Sequence, residues 1–279
     1  MQNWVAISLL AGLADIAFNF VSRKYLKLNG NPLNFSWWFS LIRTFLFGLF
    51  SIAHINNLNL TDNLLFTLVI IGTLNTLNIY FFMQMHSITQ LSLSSIIVQL
   101  RIVWVPVFAI LLIGERLSIG EYAGIAFLLI AVLSIRSAKK LILDKSVNAA
   151  FIFSLTTSIL TVLLKKVSSQ VPIETIIFFM SLPAVFILPF FIKEKRALLS
   201  TWKEDFSKKL IVVFFSILTL YSSIAALASG GPVSSVNALT QIISVFSGAF
   251  GIVILKEREE LSKKVLSIML AVVGILLLV

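Results

Sequence analysis

Residues 87–116 read SITQLSLSSIIVQLRIVWVPVFAILLIGER, and residues 229–258 read SGGPVSSVNALTQIISVFSGAFGIVILKER. Laid over one another at a spacing of 142, the two stretches agree at eight of thirty positions. Apolar agreements mean little in a chain that draws on few residue types. The polar ones carry the signal: Ser92 falls on Ser234, Gln99 on Gln241, and Glu115-Arg116 on Glu257-Arg258. The same spacing sets Arg23-Lys24 against Lys165-Lys166. The chain is read as a duplication, with repeats at 1–141 and 142–279. Each repeat holds five apolar spans. Five is odd, so the second repeat crosses a membrane in the opposite sense to the first. Inverted repeats of this kind enclose a site near the bilayer midplane.

Composition supports the membrane reading. The 279 residues are 58% hydrophobic and 12% charged, against roughly 45–50% and 25% in a soluble domain. Mean hydropathy is +1.02. With no Cys, the chain has no disulfides, no thiolate nucleophile and no Cys-ligated metal. His54 and His86 lie near span ends, so no His cluster is formed. No cofactor or metal is expected. The start, Met1-Gln2-Asn3-Trp4, lacks the basic segment of a cleaved signal, so the first span is expected to be retained. The net charge of +10 sits in short connectors rather than on one folded surface. That placement suits anionic lipid headgroups and not nucleic acid.

Ten spans are long enough for a bilayer, which needs about 20 residues per helix. They are expected at 4–22, 33–54, 64–86, 89–113, 118–136, 147–167, 173–192, 209–228, 232–255 and 261–279. They are helices, because an open strand cannot satisfy its backbone in lipid. The longest connector, from Lys193 to Lys209, carries Trp202 as an interfacial anchor. Of 22 Lys and Arg, 17 fall in connectors on one side and 3 on the other, with Arg43 and Arg101 inside spans. Positive connectors stay cytoplasmic. Both termini are therefore expected outside the cytoplasm, in a multi-pass protein of a bacterial plasma (inner) membrane.

Polar stripes mark the faces that avoid lipid. Ser92, Ser95, Gln99 and Pro106 share one face of the fourth span, and Ser234, Asn237, Gln241 and Gly248 share one face of the ninth. Two readings stand: close packing through small residues, favoured by Ser244, Gly248 and Gly251, or the lining of a wet cavity. The third span shows Asn75, Asn78, Phe82 and His86 in a similar stripe. Pro106 removes a backbone bond and is expected to kink the fourth span.

Asp15, Arg43 and Arg101 are the charges deep within spans. Each costs about 2.5–3.5 kcal/mol at mid-helix, so each needs a partner or water. Asp15 and Arg43 form an ion pair fixing the first two helices, or Asp15 takes up and releases a proton during a transport cycle. Arg101 binds an anionic group in bidentate fashion, or it bonds a helix end or Asp15. Its repeat partner is Ile243, which leaves one carboxylate against two guanidiniums. Trp104, next to Arg101 on the helix, is the aromatic expected at the site. Glu115-Arg116 and Glu257-Arg258 are expected to anchor helix ends rather than touch substrate.

Gly114-Glu115-Arg116-Leu117-Ser118, followed by Gly124 and Ala131, resembles the end of an EamA-type repeat. So does Lys256-Glu257-Arg258 followed by Gly274, and Arg43 after Asn31-Pro32 is similar to that family. The second copy lacks the Gly before Glu-Arg and the Leu after it. With ten spans in two five-helix repeats, the chain resembles the drug/metabolite transporter (DMT) superfamily from end to end. The resemblance implies an inverted-repeat bundle around a central cavity lined largely by helices 3, 4, 8 and 9. It also implies export or exchange of small metabolites, amino acids among them, by alternating access. Asp15 and Arg101 are not signature residues of that family, so their roles rest on the residues themselves.

The expectation is a secondary active transporter, an exporter or exchanger of a small polar metabolite such as an amino acid or organic anion. Arg101, Trp104, Gln99, Gln241, Asn237, Asn75 and Asn78 are its candidate substrate residues. Asp15 and Arg43 are the candidate coupling or ion pair, with protons a possible second partner. The alternative is an antiporter of sugar phosphates or nucleotide sugars. An enzyme is disfavoured, because no nucleophile–base motif is present. An ATP-driven pump is disfavoured too, since the chain has no phosphate-binding Gly-x-x-x-x-Gly-Lys-Ser/Thr loop. A receptor is the remaining class, with little outside the bilayer to bind a protein.

Overall fold

Helix ends in this chain are written in local chemistry. Asn31 accepts from the N–H groups of Leu33 (3.0 Å) and Asn34 (3.5 Å) through its side-chain oxygen. Pro32 follows at the first helical position, where its missing N–H costs nothing. At the other end of the first repeat, Gly114 takes φ 66° and turns the chain. The Gly114 and Glu115 N–H groups bond back to Ile110 and Ala109, both at 3.2 Å. Ser118 and Glu121 then cap one another reciprocally and start the next helix.

The computed structural model describes residues 3–29, 31–55, 61–87, 98, 100–134, 145–192, 206–241 and 261–278. The helices are α1 (Asn3–Asn29), α2 (Pro32–Ile55), α3 (Asp62–Ser87), α4 (Arg101–Ile113), α5 (Ile119–Ser134), α6 (Lys145–Ser168), α7 (Ile173–Ile187), α8 (Phe206–Ala228), α9 (233–241) and α10 (Leu261–Leu278). A short 3-10 turn, Leu188–Phe190, closes α7. Among the described residues there is no strand, and five helices are long and apolar enough to cross a bilayer. The chain is an all-α membrane protein of ten helices in two five-helix repeats. Its outer surface carries large apolar side chains such as Phe20, Leu111, Phe190 and Phe214. Water would not tolerate so many together, and lipid does.

Packing follows the duplication. α1 lies against α8 and α3 against α6, while α2 meets α7 and α5 meets α10. Exchanging each helix for the one five places along turns the first pair into the second and returns the other two onto themselves. That is the pattern of a pseudo-twofold axis. Close approach is bought with glycine at two crossings. A Cβ on Gly72 of α3 would strike the Phe179 carbonyl oxygen and the Pro183 ring of α7. One on Gly274 of α10 would meet Leu128 at 2.6 Å and the Gly124 carbonyl at 3.0 Å on α5. The largest buried cluster, with Leu68, Ile71, Ile176, Met180, Ile224 and Leu239, joins both repeats. α5 and α10 stand to one side around a smaller cluster of Ile102, Ile125 and Leu128.

Candidate functional site

Between the repeats lies a chamber of about 170 Å³. Eight helices line it, and among the described residues α5 and α10 supply nothing. Asp15 and Phe18 come from α1, Phe39 and Arg43 from α2, Asn75, Asn78 and Phe82 from α3, and Arg101 from α4. Phe153, Thr157 and Thr161 of α6, Met180 of α7, Ser216, Thr219 and Ser223 of α8, and Asn237, Thr240 and Gln241 of α9 complete the polar and aromatic wall.

Arg43 is 3% exposed. Its Nε and Nη2 donate to the Ser181 hydroxyl of α7 at 2.9 and 2.7 Å, and Nη1 donates to the Ser216 hydroxyl of α8 at 3.3 Å. Its guanidinium carbon sits 4.8 Å from the centre of the Phe39 ring. Arg101 donates from Nη2 to Gln241 Oε1 at 3.1 Å and from Nε to the Val98 carbonyl at 3.3 Å. Asn237 donates to the Arg101 carbonyl at 3.1 Å, and Phe153 lies 5.5 Å beneath the guanidinium. Asp15 is within electrostatic reach of Arg101. Asn19 braces it by donating to its main-chain carbonyl at 2.7 Å.

Four phenyl rings run between the two arginines. Phe39 stacks on Phe18 (6.0 Å), Phe18 lies parallel to Phe82 (4.7 Å), and Phe82 tilts against Phe153 (5.4 Å). Asn75 donates to the Met180 carbonyl at 2.7 Å, and Thr157 donates to Asn78 Oδ1 at 2.9 Å. Every one of these polar bonds except Asn19–Asp15 and Arg101–Val98 joins one repeat to the other.

A second polar group joins the repeats where α4 ends and α9 begins. Glu115, just past α4, accepts from the Val233 N–H (2.7 Å) and the Ser234 hydroxyl (2.7 Å) at the start of α9. A carboxylate there meets free N–H groups and the positive end of the helix dipole. Lys165 of α6 donates to the Leu227 and Gly231 carbonyls at 2.8 and 3.0 Å, where α8 ends. The turn between α8 and α9 is thus held from both sides by opposite charges.

The EamA-like transporter family matches residues 3–137 and again residues 145–279. The chain belongs to the EamA-like transporter family. A solved crystal structure aligns with 99% of this EamA-like chain and 96% of its own length, at a TM-score of 0.72 and 16% identity. That likeness concerns the fold alone. No curated protein matches.

Of the residues that this EamA-like sequence singled out, Arg101, Gln241, Asn237, Asn75, Asn78, Asp15 and Arg43 all meet in the chamber. Gln99, Ser92, Ser95, Gly248 and Glu257-Arg258 lie outside the described residues. Trp104 does not line the chamber. It packs between Phe108 (6.4 Å) and Phe151 (6.5 Å). Among the described contacts, none joins Asp15 to Arg43. Arg43 bonds to hydroxyls, and Arg101 is the cation that faces Asp15. Arg101 meets the Asn237/Gln241 stripe of α9. The residues missed from sequence are Phe18, Phe39 and Phe153 of the phenyl wall, Ser181, and the stripes Thr157-Thr161 and Ser216-Thr219-Ser223. Both stripes stand at helical spacing, which is the signal that marks them in the sequence.

Proposed function

We propose that this EamA-like protein is a secondary active transporter that moves a small polar metabolite with an anionic group by alternating access. The carrying observation is a chamber between the repeats lined by two guanidiniums and one carboxylate. Arg101, held by Gln241 and Asn237, and Arg43, held by Ser181 and Ser216, are the anion ligands. Asn75 and Asn78 supply neutral hydrogen bonds. Asp15 beside Arg101 is the candidate proton-coupling group. The repeats are read as 1–141 and 142–279, in a bacterial plasma membrane with both termini outside the cytoplasm.

Size favours a small cargo. A dry cavity of about 150 Å³ holds benzene, and this chamber is only slightly larger. A carboxylic or amino acid fits, whereas a nucleotide sugar is several times too large for the chamber as it stands. The phenyl wall offers an apolar seat for the body of such an acid. Reconstituted vesicles test the reading. Arg101→Ala should abolish uptake of an anionic substrate while the protein elutes as a folded species. Wild-type uptake by that variant would move Arg101 from binding to structure.

A further inference from the structure

The chamber divides its charge unevenly. Asp15, Arg43 and Arg101 all belong to the first repeat, and among the described residues the second contributes only uncharged side chains. Arg101 has Asp15 within reach. Arg43 has Ser181, Ser216 and the Phe39 ring, and no carboxylate among its described partners. One positive charge is left over. We infer that the protein is an exchanger of monoanions, which reorients quickly with an anion beside Arg43 and slowly when empty. This inference rests on the transport function proposed above.

The reason is electrostatic. Passage between the two open forms goes through a state sealed from water at both ends. In that state an unpaired guanidinium has lost its hydration without gaining a counter-charge. On the membrane-insertion scale such a charge slows the step by about a hundredfold. A bound monoanion brings the chamber to neutrality. A zwitterion leaves the surplus in place, and a dianion reverses it. The bonds from Arg43 to Ser181 and Ser216 also cross between repeats, so they must loosen whenever the repeats move. An anion that takes over those donors removes both obstacles at once.

The chain has no Cys, so one introduced thiol reports alone. Ser223→Cys places it in the chamber wall. In sealed vesicles with sulfate as the only buffer anion, an impermeant anionic methanethiosulfonate is added outside. Carriers whose chamber faces outward label at once, and the rest label only as they reorient. Expected is a slow second phase in the otherwise wild-type protein. Arg43→Gln should speed it about a hundredfold, and Arg43→Lys, which keeps the charge but not the fork of bonds, should leave it slow. The first phase should run about tenfold faster with the anionic reagent than with its trimethylammonium counterpart, after correction for their rates with mercaptoethanol. Equal second phases in wild type and Arg43→Gln, or no reagent preference, would overturn the exchange inference and leave transport standing. A second phase missing from every variant would overturn both.

Discussion

Glu115→Ala is the most direct perturbation of the contact that joins the end of α4 to the start of α9. The substitution removes two 2.7 Å bonds, to the Val233 N–H and the Ser234 hydroxyl, and a longer one of 3.4 Å to the Ser234 N–H. A charge-assisted bond contributes about 1.5–3 kcal/mol when buried, and an N-cap about 0.5–2 kcal/mol. Glu115 is partly exposed, so solvent recovers some of that loss. About 2 kcal/mol remains as the net effect. At about 1.4 kcal/mol per tenfold, the ratio of separated to joined ends of α4 and α9 should rise about thirtyfold. Glu115→Gln keeps an acceptor and loses the charge, so it should give about half that free energy, roughly a fivefold rise. Spin labels at Arg116 and Ser229, both exposed, report the separation by pulsed electron resonance. If Glu115→Ala kept the wild-type distance distribution in folded protein, the carboxylate would not be what joins the two repeats at this end.

Other outcomes follow from the same geometry. Gly72→Ala forces a methyl against the Phe179 carbonyl and the Pro183 ring, and should lower stability by about 1–3 kcal/mol, read as a lower unfolding midpoint in detergent. Asp15→Asn should uncouple uptake from a pH gradient in vesicles; an unchanged dependence would remove Asp15 from coupling. A reporter active only in the cytoplasm, fused after Val279, should be silent, and a bright signal would invert the assigned orientation.

What sequence alone could and could not show divides along a physical line. The repeat was legible because polar residues in membrane helices are few, so Ser92/Ser234 and Glu115/Glu257 stand out against an apolar background. The buried charges were legible because lipid makes them costly. Asn75 and Asn78 were legible because helical spacing puts them on one face. Spacing reports only the side of a helix on which a residue lies. It says nothing about which helix stands opposite. Arg43 therefore could not be matched to Ser181 and Ser216, which are 138 and 173 residues away. Asp15 was paired with the nearer arginine in sequence, whereas packing of α1 beside α4 and α9 brought Arg101 to it. Phe82 shares the stripe of Asn75 and Asn78, but the rest of the phenyl wall is hidden by abundance: with 24 Phe in the chain, no pattern distinguishes Phe18, Phe39 and Phe153. Trp104 lies three residues from Arg101 on the helix, and that turn carries its indole toward Phe108 and Phe151.

The uneven placement of Asp15, Arg43 and Arg101 reaches back to how such a molecule can be assembled. Two copies of residues 1–141, docked as a homodimer, would crowd four guanidiniums and two carboxylates into one pocket. Two copies of 142–279 would leave that pocket without a single ion. Neither half can stand in for its sibling, so the chamber requires two unlike halves, and divergence after duplication is a condition for it.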